Sequence, residues 1–165
     1  MTFIYRCPVR ASWVDINGHM NIDPYFEVFF DAYILACRDL GLGQTYFEQG
    51  QFLFAGELHI TYVREVRAGA TLTVKTRVID FDAKRFVLHQ EMIDDRDGAL
   101  AATAEHVQLN VGVTSHKVEP FRTEVLERLR KAQQDEGERA PRNVGRAATL
   151  DAQSTGPMRG RPTIF

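Results

Sequence analysis

Between Asp15 and Asn21, within the stretch WVDINGHMNIDPYF (residues 13–26), lie a carboxylate, two side-chain amides, a glycine and an imidazole: Asp15, Asn17, Asn21, Gly18 and His19. A carboxylate so placed can attack a carbonyl carbon, or activate water for that attack. The amides and the imidazole can contact substrate or fix the loop. The glycine lets the backbone turn tightly or approach a ligand. A structural reading competes. Asp15 and Asn17 are residue types that close turns by bonding to nearby backbone. Residue types alone leave both readings open.

The flanking elements decide where such a loop would sit. Residues 3–14 alternate loosely through Phe3, Tyr5, Val9 and Trp13 and predict a strand, with Pro8 marking an irregularity or an edge. Residues 15–23 form the connector. Pro24 suits the first turn of a helix and Asp23 its N-cap. The helix PYFEVFFDAYILACRDLG then runs to a stop at Gly41. Its apolar positions go nearly all the way round, which predicts burial nearly all round. Four strand-like runs follow: FLFAGELHITYVREV, TLTVKTRVIDF, FVLHQEMID and ALAATAEHVQLNVGV. Turns at Ala68-Gly69-Ala70, DAKR and DRDG separate them. The segment PFRTEVLERLRKAQQDEG returns to helix, amphipathic through Val125, Leu126 and Leu129.

Strands in succession without crossover helices define an α+β fold: a five-stranded antiparallel sheet wrapped around a long buried helix, with a surface helix near 120–136. The expected domain is 1–136. Residues 137–165, with Arg139, Arg142, Arg146, Arg159 and Arg161, are expected to be an irregular tail. A sheet with an open edge invites pairing between copies, so a homodimer or a dimer of dimers is expected.

Composition narrows the function classes. The chain has 165 residues, 44% hydrophobic, enough for one domain with a real core. A net charge of -2 gives no global attraction to nucleic acid or acidic lipid, and neither is expected as a partner. Cys7 and Cys37 lack paired spacing, which predicts a reduced, cytoplasmic protein. The N-terminus has no signal-like apolar core, and no apolar run approaches the ~20 residues of a membrane span. His59, His89, His106 and His116 lack metal-ligand spacing, so no metal is expected.

The run Asp15-Ile16-Asn17-Gly18-His19-Met20-Asn21, with Tyr25 following in an apolar helix, resembles hotdog-fold thioesterases of the 4-hydroxybenzoyl-CoA thioesterase type. The resemblance spans roughly residues 3–130 in element order. A narrower resemblance is to the betainyl-CoA thioesterases of carnitine breakdown. It is carried by Trp13-Val14-Asp15, Phe81-Asp82, Lys84-Arg85, Ala140-Pro141 and Gly145-Arg146. Two positions depart from the wider family's pattern: Trp13, where many relatives carry an acid, and Ile22, where many carry Asn.

The resemblance implies an acyl-CoA thioesterase with Asp15 as the catalytic carboxylate. The thioester oxygen would lie against the first backbone amides of the helix, near Ile22 and Asp23, which have no intrahelical partner. Asn17, Gly18, His19, Asn21 and Tyr25 would complete the substrate site. Lys84 and Arg85 would meet the CoA phosphates. No cofactor is implied beyond the coenzyme A of the substrate. The acidic row Asp23, Glu27, Asp31 is either a solvated face or, with aromatic neighbours, a seat for a cationic acyl group. Two other functions stay open: a hotdog acyl-thioester dehydratase or hydratase, and a non-catalytic acyl-CoA-binding protein.

Overall fold

The computed structural model describes residues 1–134; the expected tail at 137–165 lies outside the described residues. The first strand, β1 (Phe3–Pro8), is shorter than the alternation predicted. Pro8, with no N–H for the ladder, is its last residue, and a single tight turn at Ala11–Trp13 follows. The central helix α1 (Ile22–Asp39) starts earlier than expected, and its N-cap is Asn21 rather than Asp23. Pro24 is its third residue, where a missing N–H still costs nothing because no carbonyl awaits it. The predicted stop holds. Gly41 has φ +76, and the N–H groups of Gly41 and Leu42 donate to Arg38 and Cys37 carbonyls.

A one-turn helix, α2 (Gln44–Glu48), precedes the long strands β2 (Gln51–Tyr62), β3 (Thr71–Phe81), β4 (Arg85–Asp94) and β5 (Ala99–Gly112). The amphipathic helix α3 (Thr123–Gln134) comes last. All four strand pairings are antiparallel, in the order β1-β3-β4-β5-β2, so β1 and β2 are the edges. This is the hotdog architecture.

Period-2 alternation explains how the sheet holds the helix. Leu72 and Val74 of β3, Met92 of β4 and Ala102 of β5 pack with Val28 and Phe29 of α1. Further along, Ala36 and Leu40 meet Val78, Phe86 and Leu88, closed from outside by Leu129 of α3. Each fully buried Phe, Val or Leu in this layer contributes roughly 1.5–3 kcal/mol. A polar strut fixes α1 over the sheet. Gln90 donates to the Phe29 carbonyl (3.1 Å) and to Thr76 (3.0 Å), and its oxygen lies 2.7 Å from His106 Nε2. Burial pushes the His106 pKa down to about 4, so the ring is neutral, and Tyr33 stacks on it at 5.5 Å.

One expectation fails. α1 is not buried all round: Phe26, Phe30 and Ile34 are 49%, 44% and 50% exposed. They recur at i, i+4 and i+8, so they form one stripe. Leu58 and Tyr62 of the edge strand β2 are exposed too. Apolar periodicity reports which faces avoid water, not which are covered within one chain. Among the described residues no helix is long and apolar enough to cross a membrane.

Candidate active site

The loop from Asp15 to His19 is a small hairpin in its own right. Val14 bridges Met20 in antiparallel fashion, and the Asp15 N–H donates to the His19 carbonyl at 2.9 Å. Gly18 takes φ +81 at its tip, and a Cβ there would meet nothing within 4 Å. Glycine is therefore needed for backbone conformation rather than for room. Gly18→Ala should lower unfolding free energy by about 1–2 kcal/mol, with Gly18→Asn milder, in urea titrations.

The Asp15 carboxylate is the organising atom group. Oδ1 accepts the backbone N–H groups of Asn17 (2.9 Å) and His19 (3.0 Å), and Oδ2 accepts Asn17 Nδ2 (3.2 Å). Those donors, the His19 amide foremost, hold its pKa below the ordinary carboxylate value. The turn-forming reading is thus realised in the loop. It does not exclude chemistry, because the same bonds present an ionised, oriented carboxylate.

The helix start is tied to this loop. The Asn21 N–H donates to the Trp13 carbonyl (2.8 Å), and the Met20 N–H to Val66 (2.8 Å). Asn21 makes no side-chain cap. Of the first amides of α1, Asn21 is satisfied and Pro24 has none. The N–H groups of Ile22 and Asp23 have no partner among the described residues. Two donors at the positive end of a helix dipole thus share one short ladder with the Asp15 carboxylate.

The other expected residues divide. His19 Nε2 lies 3.3 Å from Glu65, which Arg67 also binds at 2.6 Å. Asn17 and Asn21 are exposed, whereas Tyr25 is core, its ring edge-on to Tyr62 at 5.1 Å. The acidic row does not act as a unit. Arg10 pairs with Glu27 at 2.7 Å, and the Tyr5 hydroxyl donates to Asp31 at 3.0 Å. Only Asp23 is left facing the exposed stripe, one helical turn before Phe26.

Lys84 and Arg85 are separated from the loop. The loop packs beside Val66 and Ala68, before β3 begins, and Lys84 follows its far end. That is ~35 Å of extended chain. Arg85 is also held by Asp82 at 2.6 Å. The cations beside the loop are Arg67, whose backbone bridges His19, and Arg10, which lies 4.6 Å over the Trp13 ring. Glu65 and Tyr62 belong to the site region and were not found in the sequence. Nothing local marks them, because a chain reversal far from Asp15 delivers them. Cys37 is buried, and its thiol pKa is pushed up to about 12 by that burial. Among the described residues no group of three His, Cys, Asp or Glu side chains could hold a metal ion.

The fold and the loop together define a hotdog protein with a carboxylate on the loop that leads into a helix N-terminus. Residues 9–129 match the thioesterase-like superfamily, and the chain belongs to that family. It is 32% identical over 148 residues to a betainyl-CoA thioesterase of Pseudomonas aeruginosa, covering 88% of this chain and 93% of that protein. It is 37% identical over 114 residues to an L-carnitine dehydrogenase/betainyl-CoA thioesterase of Agrobacterium fabrum. That match covers 69% of this chain but only 23% of the longer protein. A Staphylococcus aureus protein solved in complex with CoA superposes with a TM-score of 0.82 at 24% identity, over 91% of this chain and 96% of that one.

Proposed function

We propose that the chain hydrolyses a small acyl-CoA to the free acid and CoA, and that its acyl group is betainyl. One observation carries the hydrolytic reading: the Asp15 carboxylate shares a short ladder with the amides of Ile22 and Asp23, which have no partner among the described residues. Those amides would stabilise the oxyanion that develops on the thioester carbonyl, each such donor being worth ~3 kcal/mol. Asp15, kept ionised and oriented by its donors, is assigned as the nucleophile. Its oxygen bonds to the carbonyl carbon, the C–S bond breaks, and the CoA thiolate leaves and takes a proton from solvent. Water then opens the anhydride. Asn17, Gly18, His19 and Asn21 hold and border the substrate, with Tyr25 behind them as wall. The names of the Pseudomonas and Agrobacterium relatives support the betainyl group. Nothing in this scheme requires a cofactor beyond the CoA of the substrate, and the unpaired Cys7 and Cys37 suit a cytoplasmic location.

A second copy completes this reading. β2 ends the sheet with Leu58 and Tyr62 exposed, and α1 leaves the stripe Phe26, Phe30 and Ile34 exposed. Antiparallel self-pairing of β2 about Leu58 sets Glu57 of each copy opposite His59 of the other, an acid against a base. It also brings the Lys84–Arg85 turn of one copy to the sheet end that carries Asp15 in the other, where it could meet the CoA phosphates.

The test is free-thiol release across a broad acyl-CoA panel that includes betainyl-CoA. The expected outcome is hydrolysis with the highest kcat/KM for betainyl-CoA. Release from none of the panel would sink the hydrolase reading and leave a binding protein. Hydration of an enoyl-CoA without thiol release would point instead to the His19–Glu65 pair as an acid–base couple.

A further inference from the structure

We propose that Tyr62 is the specificity-determining residue of this site, its ring forming, with Asp23, the wall that selects a cationic acyl group over a neutral one of the same shape. The inference rests on the hydrolase reading above and deepens it. In a betainyl thioester the quaternary nitrogen is two bonds from the carbonyl carbon. Whatever recognises that charge must therefore lie beside the Ile22 and Asp23 amides, against the first turn of α1.

Three observations meet there. First, Tyr62 ends β2 on the side of the sheet that faces α1, in register with the core residue Ala102. Its ring is locked edge-on against buried Tyr25 in the first turn of the helix, at 5.1 Å and 86°. Second, Tyr62 remains 47% exposed in the single chain, and it lies four residues from Leu58, at the end of the proposed β2 pairing rather than at its centre. Third, the Asp23 carboxylate acts on Tyr62: its charge adds to burial in raising the phenol pKa. Among the three acids of the row it alone is not taken by a described side chain, Glu27 being held by Arg10 and Asp31 by Tyr5. An aromatic ring with a carboxylate beside it is the chemistry that binds quaternary ammonium. A trimethylammonium group donates no hydrogen bond, so the ring supplies contact while the carboxylate supplies charge.

The experiment compares kcat/KM for betainyl-CoA with that for 3,3-dimethylbutanoyl-CoA, in which carbon replaces the quaternary nitrogen. Wild type, Tyr62→Leu and Tyr62→Phe are measured, and thermal melts confirm that each variant folds. The expected result is a wild-type preference for the cation that falls on the order of 10-fold or more in Tyr62→Leu and stays within about 3-fold in Tyr62→Phe, which keeps the ring. Equal losses on both substrates, or an unchanged ratio in Tyr62→Leu, would overturn the proposal while leaving hydrolysis intact. Wild type active on the neutral thioester alone would overturn it as well. Activity on neither substrate would remove the hydrolase reading, and the proposal with it.

Discussion

Asp15→Asn lowers kcat by about 10²–10⁴-fold while leaving the loop folded, measured as CoA release under saturating substrate. The asparagine oxygen can still accept the amides of Asn17 and His19, so the two shorter bonds to that side chain survive. What is lost is the negative charge and its power to attack. Asp15→Ala would remove turn and charge together, so it separates nothing. Full activity in Asp15→Asn would refute the catalytic assignment even with hydrolysis established. The pH dependence follows from the same bonds. The folded pKa is depressed below the ordinary 3.8. The carboxylate is therefore ionised throughout the neutral range, and its contribution is lost only as pH falls through that depressed value. A profile of kcat/KM should show no acid limb from Asp15 above about pH 4.

Leu58→Lys should yield a monomer by light scattering and lose on the order of 10²-fold in kcat/KM, because small displacements at a preorganised site carry penalties of that size. Leu58 is an exposed position on an edge strand, so the single chain has no reason to unfold when it changes. At the centre of a two-fold pair, two ammonium groups would face each other with no partner. Leu58→Met, which keeps the contact apolar, should remain dimeric and active. A monomeric wild type, or a fully active monomeric variant, would show that the site is complete in one chain.

These two positions also mark what was legible in the sequence. Asp15 was readable because its partners are within four residues, and turn chemistry is local. The strands β3, β4 and β5 were readable because alternation and Gly- or Asp-rich turns are local too. α2 was missed because five residues at its length leave no periodic signal. The start of α1 was misplaced by one acidic residue: Asp23 is as good an N-cap type as Asn21, and only the Asn21–Trp13 bond decides between them. The row Asp23, Glu27, Asp31 looked uniform in spacing. Its members differ because β1 and the turn after it supply Tyr5 and Arg10 to two of them. The burial of α1 was overestimated because apolar periodicity reports which faces avoid water, and the fold of one chain covers only part of them.

Asn21 has the residue type of a strong helix cap and does not cap. A side chain closing on the Asp23 amide would stabilise α1 by roughly 1 kcal/mol. It would also occupy one of the donors that the proposed mechanism assigns to the thioester oxygen. Selection of this protein for heat resistance alone should therefore accumulate changes around Asn21 that fill the helix end, and those survivors would be the least active. The open start of α1 is a place where durability and turnover pull the same few atoms in opposite directions.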